Sequence, residues 1–168
     1  YLKAQILSLL NNRQKEREAF SKRPFFPVQN MQMSKEDEVF MNKVIEVINA
    51  NMEDETFNVE RMAEALCLSR SSLLRKIKTL FNMSPIDFIR LIRLKKAAEL
   101  IQDGKYRVGE ISYMVGFGSH SYFSKLFFKQ FGMTPKDFEQ QIASTRSKVR
   151  NVQEINIEDL IQNNRANS

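Results

Sequence analysis

The sequence predicts an all-α fold in which two similar helical subdomains are joined by a long connecting helix. Apolar residues recur with the period of a helix along most of the chain, and no segment alternates as a strand would. Two segments of about 45 residues repeat the same order of apolar, small and capping residues. Each repeat ends in a helix-start signal, a hydroxyl residue followed by proline. These observations favour helices packed as two units over a sheet.

Capping residues and periodicity place the individual helices. Residues 1–19 form a predicted helix, and 20–33 form a linker that contains two prolines. Ser34 begins a helix that reaches about Met52. The later predicted helices cover residues 59–66, 70–81, 85–102, 107–115, 119–131 and 135–144. The polar residues 145–168 are predicted as a loose tail, so the expected domain division is 1–33, 34–144 and 145–168.

Composition excludes several classes of protein. The chain has 168 residues, of which 42% are hydrophobic, enough for one ordinary domain or two very small ones. A single Cys and a single His exclude a disulfide framework within the chain and a Cys-based zinc finger, and we expect no metal and no cofactor. No apolar run approaches the roughly 20 residues that span a bilayer. Tyr1 in place of Met, without a signal-peptide pattern, indicates a fragment of a longer protein from a reducing compartment.

Charge is distributed unevenly along the chain. The formal net charge is +6. Residues 34–64 hold three basic and nine acidic side chains, whereas residues 69–96 hold eight basic side chains and one acidic. Residues 104–136 hold five basic side chains and one acidic. The basic segments coincide with the two repeats, which indicates an anionic partner rather than an ordinary solvated surface.

The internal repeat is clear in the sequence itself. FNMSPIDF at 81–88 reappears as FGMTPKDF at 131–138, with five of eight positions identical. Ser84 and Thr134 are the predicted N-caps, and Pro85 and Pro135 occupy the first helical position, where a missing N–H costs nothing. Upstream, the offset between the copies is 49 instead of 50. The second copy therefore has one extra residue in its turn region.

Each repeat has the pattern of a helix-turn-helix unit, at about 58–84 and 107–134. Two short helices meet at a tight corner, and Gly116 suits the positive φ that such a corner requires. Cys67 holds the same place in the first unit, where a β-carbon costs about 1 kcal/mol of strain. We interpret Cys67 as a structural residue and not as a redox sensor. Apolar residues at equivalent positions of the two units are expected to fill the wedge between the two helices of each unit: Leu66 and Val115, Leu68 and Phe117, Leu73 and Phe123, and Ile77 and Phe127.

These two units, the joining helix SPIDFIRLIRLKKAAELI and above all GFGSHSYFSKLFFKQFGMTP resemble the AraC/XylS family of bacterial transcription regulators over about residues 40–142. The resemblance implies an all-α domain that places two recognition helices in successive major-groove segments of double-stranded DNA. YLKAQILSLLNNRQKEREAF with its linker resembles the last helix of a receiver domain. The arrangement is similar to the C-terminal end of hybrid two-component regulators.

The resemblance also implies partners and a location. Upstream receiver and kinase domains would lie outside this fragment, which itself is expected not to be an enzyme. RNA polymerase is an expected contact if the protein is an activator, and the full-length protein would be able to form a homodimer. We expect a cytoplasmic domain, with an inner-membrane anchor left open for the full-length protein.

Matching the family position by position gives candidate DNA contacts. In the first unit they are Arg70, Ser71, Ser72, Leu74, Arg75 and Lys78. In the second unit they are Ser119, His120, Ser121, Ser124 and Lys125, with Lys129 for a phosphate. Arg75 is the best candidate for a guanine, because its fork bridges two acceptors; a surface pair with Glu64 is the alternative. Leu74 departs from the usual polar residue and offers at most a contact to a thymine methyl.

Other residues of the two units are assigned with less specificity. Phe128 stands where the family has a basic residue. Lys76 and Arg90 are further phosphate candidates, with Lys78 and Lys129. Arg93, Lys95 and Lys96 contact either phosphates or the acidic segment 53–64. Residues interpreted as core rather than stacking platforms are Tyr122, Phe123, Phe127 and Phe131.

An enzyme is disfavoured by the residues present. All five glycines lie between 104 and 132, and none forms a phosphate-binding loop. No Ser-His-Asp or Cys-His set has a plausible frame. The predicted function is therefore sequence-specific DNA binding by a transcription regulator, an activator downstream of a two-component phosphorelay. The alternative is a helical protein-interaction module, or an architectural DNA-binding module without a defined operator.

Overall fold

The computed structural model describes residues 34–147, and within them it contains seven helices and no strand. The helices are α1 Lys35–Ala50, α2 Val59–Ala65, α3 Arg70–Phe81, α4 Pro85–Asp103, α5 Val108–Met114, α6 His120–Phe131 and α7 over 135–147. The all-α prediction is confirmed. The predicted helix 1–19, the linker 20–33 and residues 148–168 of the predicted tail lie outside the described residues.

Side-chain caps fix where the helices begin. An oxygen of Ser34, Asn58, Ser69, Ser84 or Ser119 accepts a hydrogen bond from the backbone N–H three residues on. Thr134 Oγ1 accepts in the same way from Asp137 N at 3.1 Å, so both copies of the repeated motif start a helix with one geometry. Left-handed residues end α3, α4 and α6, at Asn82, Gly104 and Gly132 respectively.

Two helix ends differ from the prediction by more than one residue. Helix α1 stops at Ala50 rather than near Met52, since the Asn51 side chain donates to Val47 O at 2.8 Å. Helix α7 extends to 147, three residues past the predicted 144. There Thr145 and Ser147 donate to the carbonyls four residues earlier, and Arg146 donates to Gln102 O of α4. Residues 145–147, predicted as loose, therefore belong to the helix.

Helix α4 is the centre of the packing. It contacts α1, α3, α5 and α6, and its buried residues include Phe88, Ile92 and Ala98. The first unit, α2 and α3, packs on one side with Met62, Leu73 and Ile77 fully buried. The second unit packs on the other with the apolar residues Ile111, Val115, Phe123 and Phe127 fully buried. All these residues form one continuous apolar cluster, so the connecting helix holds both units in a single core.

The two corners share one backbone geometry. In the first unit, Leu68 N donates to Ala63 O and Cys67 N to Glu64 O; in the second, Phe117 N donates to Ser112 O and Gly116 N to Tyr113 O. This pattern of two backbone hydrogen bonds requires a residue with left-handed backbone angles, and φ is 55° at Cys67 and 80° at Gly116. The predicted corner is confirmed in both units. The extra residue of the second copy is Gly118, which precedes the cap Ser119.

Candidate nucleic-acid interface

Helix α3 presents a polar face opposite its buried stripe. Leu73, Ile77 and Phe81 recur every four residues and point into the core. The opposite side is therefore exposed, and a shallow depression of about 800 Å³ runs along it. The residues that line this depression are Arg70, Ser71, Leu74, Arg75, Lys78 and Thr79. Five of the six candidate DNA contacts of the first unit thus share one surface, which we call the α3 face.

The sixth candidate has a local role. Ser72 is half-buried, and Ser69 Oγ donates to Ser72 Oγ at 2.8 Å while accepting from Ser72 N at 3.1 Å. Its hydroxyl therefore belongs to the helix cap. The Arg70 guanidinium lies 2.6 Å from Glu60 Oε1 of α2, with both side chains more than half exposed. An exposed pair of this kind contributes little to stability.

Arg75 is differently placed from Arg70. Among residues 34–147, no carboxylate lies within ion-pair distance of the Arg75 or Lys78 side chain. The alternative pairing of Arg75 with Glu64 is therefore wrong for this structure. Both residues are exposed on the α3 face.

Helix α6 presents an equivalent face with fewer charges. Phe123, Phe127 and Phe131 fill its inward stripe. The predicted contacts on the exposed side are His120, Ser121, Lys125 and Lys129. Ser119 Oγ accepts from Tyr122 N at 3.3 Å, so Ser119 is the cap, and Ser124 is half-buried. Phe128 is 54% exposed, a large apolar side chain at the position that corresponds to Lys78 of the first unit.

The core interpretation holds for three of the four aromatic residues of α6. Phe123, Phe127 and Phe131 are buried, but Tyr122 is 43% exposed, so the prediction for Tyr122 is wrong. Its position is one residue away from the inward stripe, which turns the ring toward the edge of the helix. The Arg90 guanidinium of α4 lies 5.8 Å from the centre of the Tyr122 ring and 3.5 Å from Asp87 Oδ1.

For Arg93 the sequence leaves two partners open, phosphates or the acidic segment 53–64. The structure buries Arg93 and gives it three hydrogen bonds to backbone carbonyls. Its side chain is buried inside α4's packing, with 5% of the residue exposed. Nη1 donates to Gly116 O at 2.7 Å, and Nη2 donates to Asp54 O at 2.7 Å and to Asn51 O at 3.4 Å. Burial lowers the pKa of the Arg93 guanidinium, and the nearby Asp54 carboxylate opposes that shift. One cation thus joins the loop after α1 to the corner of the second unit.

A sequence signal for this role existed in the helix period. Arg93 lies four residues after Ile89 and four before Ala97, on a stripe whose other members are buried. A charged residue within an apolar stripe indicates a satisfied buried cation. Of the two predicted partners, phosphates or the acidic segment 53–64, Arg93 contacts the acidic segment, through the backbone carbonyl of Asp54. Lys95 and Lys96 have their ammonium groups 4.0 and 3.9 Å from the Glu99 carboxylate on the same helix.

The loop that receives Arg93 is itself ordered by Asp54. The carboxylate accepts from Thr56 N at 2.9 Å, from Thr56 Oγ1 at 2.6 Å and from Arg61 Nη1 at 2.6 Å. Hydrogen bonds from Thr56, followed by the Arg61 contact, lower the pKa of Asp54 to about 2. The carboxylate therefore stays ionised at neutral pH, and it holds the turn whose carbonyl meets Arg93.

Other kinds of site are absent from the part of the chain that the structure describes. No cluster of three or more His, Cys, Asp or Glu side chains there is arranged to hold a metal ion. None of the helices between residues 34 and 147 is both long and apolar enough to cross a membrane.

Known proteins share this arrangement. The family model described as "Helix-turn-helix domain" matches residues 62–141. The chain is 36% identical over 137 residues to histidine kinase P4 of Formosa agariphila. This match covers 82% of the chain and 10% of the kinase. The chain is also 32% identical over 101 residues to the HTH-type transcriptional regulator MtrA of Neisseria gonorrhoeae. This match covers 60% of the chain and 33% of MtrA. The likeness therefore concerns one part of each relative.

Solved structures agree with these relatives. The C-terminal domain of AraT, a response regulator from Geobacillus stearothermophilus, matches with a TM-score of 0.56 and 28% identity. The match covers 66% of this chain and 88% of that one. Two helix-turn-helix units on one connecting helix, the family match over residues 62–141 and these relatives together show that the chain contains a helix-turn-helix domain of the AraC type.

Proposed function

We propose that the chain binds a defined operator in double-stranded DNA, with α3 and α6 in successive major-groove segments on one side of the duplex. The observation that carries this proposal is the pair of exposed helix faces mounted on one connecting helix. On the α3 face Arg75 and Lys78 are exposed cations. A helix with exposed cations and hydroxyls fits the major groove, where base edges offer a distinct pattern of acceptors.

The two units divide the contacts differently. Arg75 reads a guanine through its bidentate fork, and Lys78 neutralises a phosphate. Arg70 and Ser71 approach the duplex from the start of α3. In the second unit, His120 and Ser121 approach bases near the start of α6, and Lys125 and Lys129 provide the positive charge. The remaining candidates are Ser72, Ser119 and Ser124, which cap a helix or are half-buried. They contact the phosphate backbone rather than the bases.

The proposed context is a two-component phosphorelay that ends in transcription activation. Support comes from two relatives, one named a histidine kinase and the other the C-terminal domain of a response regulator. Upstream receiver and kinase domains would then control a cytoplasmic DNA-binding domain. RNA polymerase and a second copy of the full-length protein are the further partners of this proposal, which leaves catalysis to the kinase part.

Selection from a random duplex pool, followed by a salt titration, tests DNA binding by the 168-residue chain. We expect one enriched sequence with two blocks about 10 bp apart in direct orientation, since one turn of the duplex separates the units. Contacts to about six phosphates give a log–log slope of affinity against salt near −5. A slope near zero would favour a protein-interaction module, and salt-dependent binding without an enriched sequence would favour an architectural protein.

Arg75→Ala tests base reading within that operator. We expect it to weaken binding by about 1–3 kcal/mol and to relax the preference at one base pair. Lys78→Ala serves as the matched variant, because it removes a cation three residues further along the same face. It is expected to weaken all sequences about equally and to reduce the salt slope by about one. Affinities of both variants for a panel of single-base-pair operator changes separate the roles. Uniform weakening by Arg75→Ala across the panel would contradict a base contact.

A further inference from the structure

Leu74 is an apolar side chain at the centre of a cationic surface. It is 49% exposed on the α3 face. Arg70 and Ser71 precede it by one helical turn, Arg75 follows directly, and Lys78 lies one turn beyond. Of the residues that line the depression on this face, Leu74 is the one whose side chain has no polar atom. The core does not use this side chain, since Leu73 and Ile77 occupy the inward stripe.

The chemistry of Leu74 narrows what it can recognise. A leucine has no donor or acceptor for a base edge or a phosphate. In the major groove, the methyl group on C5 of thymine is the apolar group that distinguishes one base from another. The surrounding cations bring the backbone of DNA to this surface, so an anionic duplex is the partner that both the charge and the apolar centre fit.

The second unit provides an internal comparison. At the repeat offset of 50, the residue that corresponds to Leu74 is Ser124, a half-buried residue of α6. Arg75 corresponds to Lys125 at the same offset. The apolar centre is therefore a property of the first unit, and the two units present different chemistry from the same helix position.

We propose that Leu74 reads a thymine by contacting its methyl group. The first half of the operator, which is the block bound by the first unit, then contains this thymine beside the guanine that Arg75 reads. The inference rests on the proposed function and deepens it. Leu74 acts by apolar contact alone, and it therefore distinguishes thymine from the same base without its methyl group, which forms the same Watson–Crick pair.

The test uses the duplex selected by the full chain, with each thymine of the first half replaced singly by deoxyuridine. We expect one replacement to weaken binding about fourfold, the effect of removing one methyl group from an apolar contact. Leu74→Ser copies the residue of the second unit. This variant should bind the thymine duplex about fourfold more weakly and should show no further loss with uridine at that position. Because Leu74 is half-exposed and outside the core, the thermal unfolding of the Leu74→Ser variant is expected to match that of the parent chain.

Two controls separate this contact from other effects. Ser124→Ala changes the corresponding position of the second unit, so the fourfold uridine effect should remain whatever the overall affinity. Unchanged affinity for every uridine duplex would overturn the proposal, as would a full uridine effect in Leu74→Ser. Either result leaves sequence-specific binding intact. A chain that enriches no sequence from the pool would instead overturn the proposed function together with the reading by Leu74.

Discussion

Replacing Arg93 with methionine is expected to lower the free energy of unfolding by about 3 kcal/mol. Methionine keeps much of the apolar part of the side chain, but it removes the donors to the carbonyls of Gly116, Asp54 and Asn51. The last two carbonyls keep a backbone donor, from Phe57 N and Asp54 N respectively, whereas Gly116 O loses its Arg93 partner in the core. A buried carbonyl without a partner costs about 1–3 kcal/mol, the two lost bonds to Asp54 O and Asn51 O add about 1 kcal/mol each, and removal of a buried charge offsets part of the sum. Urea unfolding followed by circular dichroism measures the change.

Two variants on the same helix test the reason for this loss. Arg93→Lys keeps the charge but not the planar fork, so it should recover less than the full stability. Arg90→Met removes a cation three residues earlier that is 38% exposed, and it should cost less than about 1 kcal/mol. Similar losses for Arg93→Met and Arg90→Met would mean that the three buried hydrogen bonds contribute little.

Replacing Gly116 with alanine is expected to cost about 3 kcal/mol, for two reasons that add. Its φ of 80° lies in the left-handed region that disfavours a β-carbon. A β-carbon at this position would also lie 2.5 Å from Met52 O and from Arg93 Nη1, and the first of these atoms is backbone. The new methyl group therefore has to displace the loop after α1 or the Arg93 contact. Thermal and urea unfolding report the loss.

The repeat supplies the control for this variant. Cys67 has the same corner geometry with φ 55° and already carries a β-carbon. Cys67→Ala should therefore change stability by less than about 0.5 kcal/mol. Cys67→Gly removes the strain and should raise stability by up to about 1 kcal/mol. If Gly116→Ala costs no more than Cys67→Gly gains, backbone strain explains the whole loss and the close contacts around the second corner are without energetic consequence.

The helices were predictable from sequence because their determinants are local. Ser34, Asn58, Ser69 and Ser84 cap helices through bonds that span three residues, so a short window contains all the information. The repeat added what periodicity alone lacks, since aligning Leu73 with Phe123 identified the inward stripe of both α3 and α6. The exposed residues of the recognition faces followed from that stripe. Their contacts with DNA remain predictions.

Arg93 and the Arg70–Glu60 pair escaped prediction for a common reason, whereas Tyr122 was missed for a local one, its place one residue off the inward stripe of α6. The contacts of Arg93 and of the pair depend on where another helix or loop lies in space. Arg93 meets carbonyls that are 23, 39 and 42 residues away along the chain, and a carbonyl carries no side-chain signal. Tyr122 and Phe123 differ by one position on α6, yet the first contacts Arg90 at the surface and the second fills the core.

The left-handed corners also bear on how this gene can change. Codons for cysteine and glycine differ by one base, so the first corner is a single mutational step from the residue that fits it best. The backbone strain at Cys67 is about 1 kcal/mol, against about 5–15 kcal/mol for the stability of a domain, so the domain stays folded with either residue at this corner. The second corner has no such freedom, because Met52 O and Arg93 surround Gly116. Two copies of one motif thus differ in the expected cost of a mutation at the corner, which is larger in the copy joined to the guanidinium.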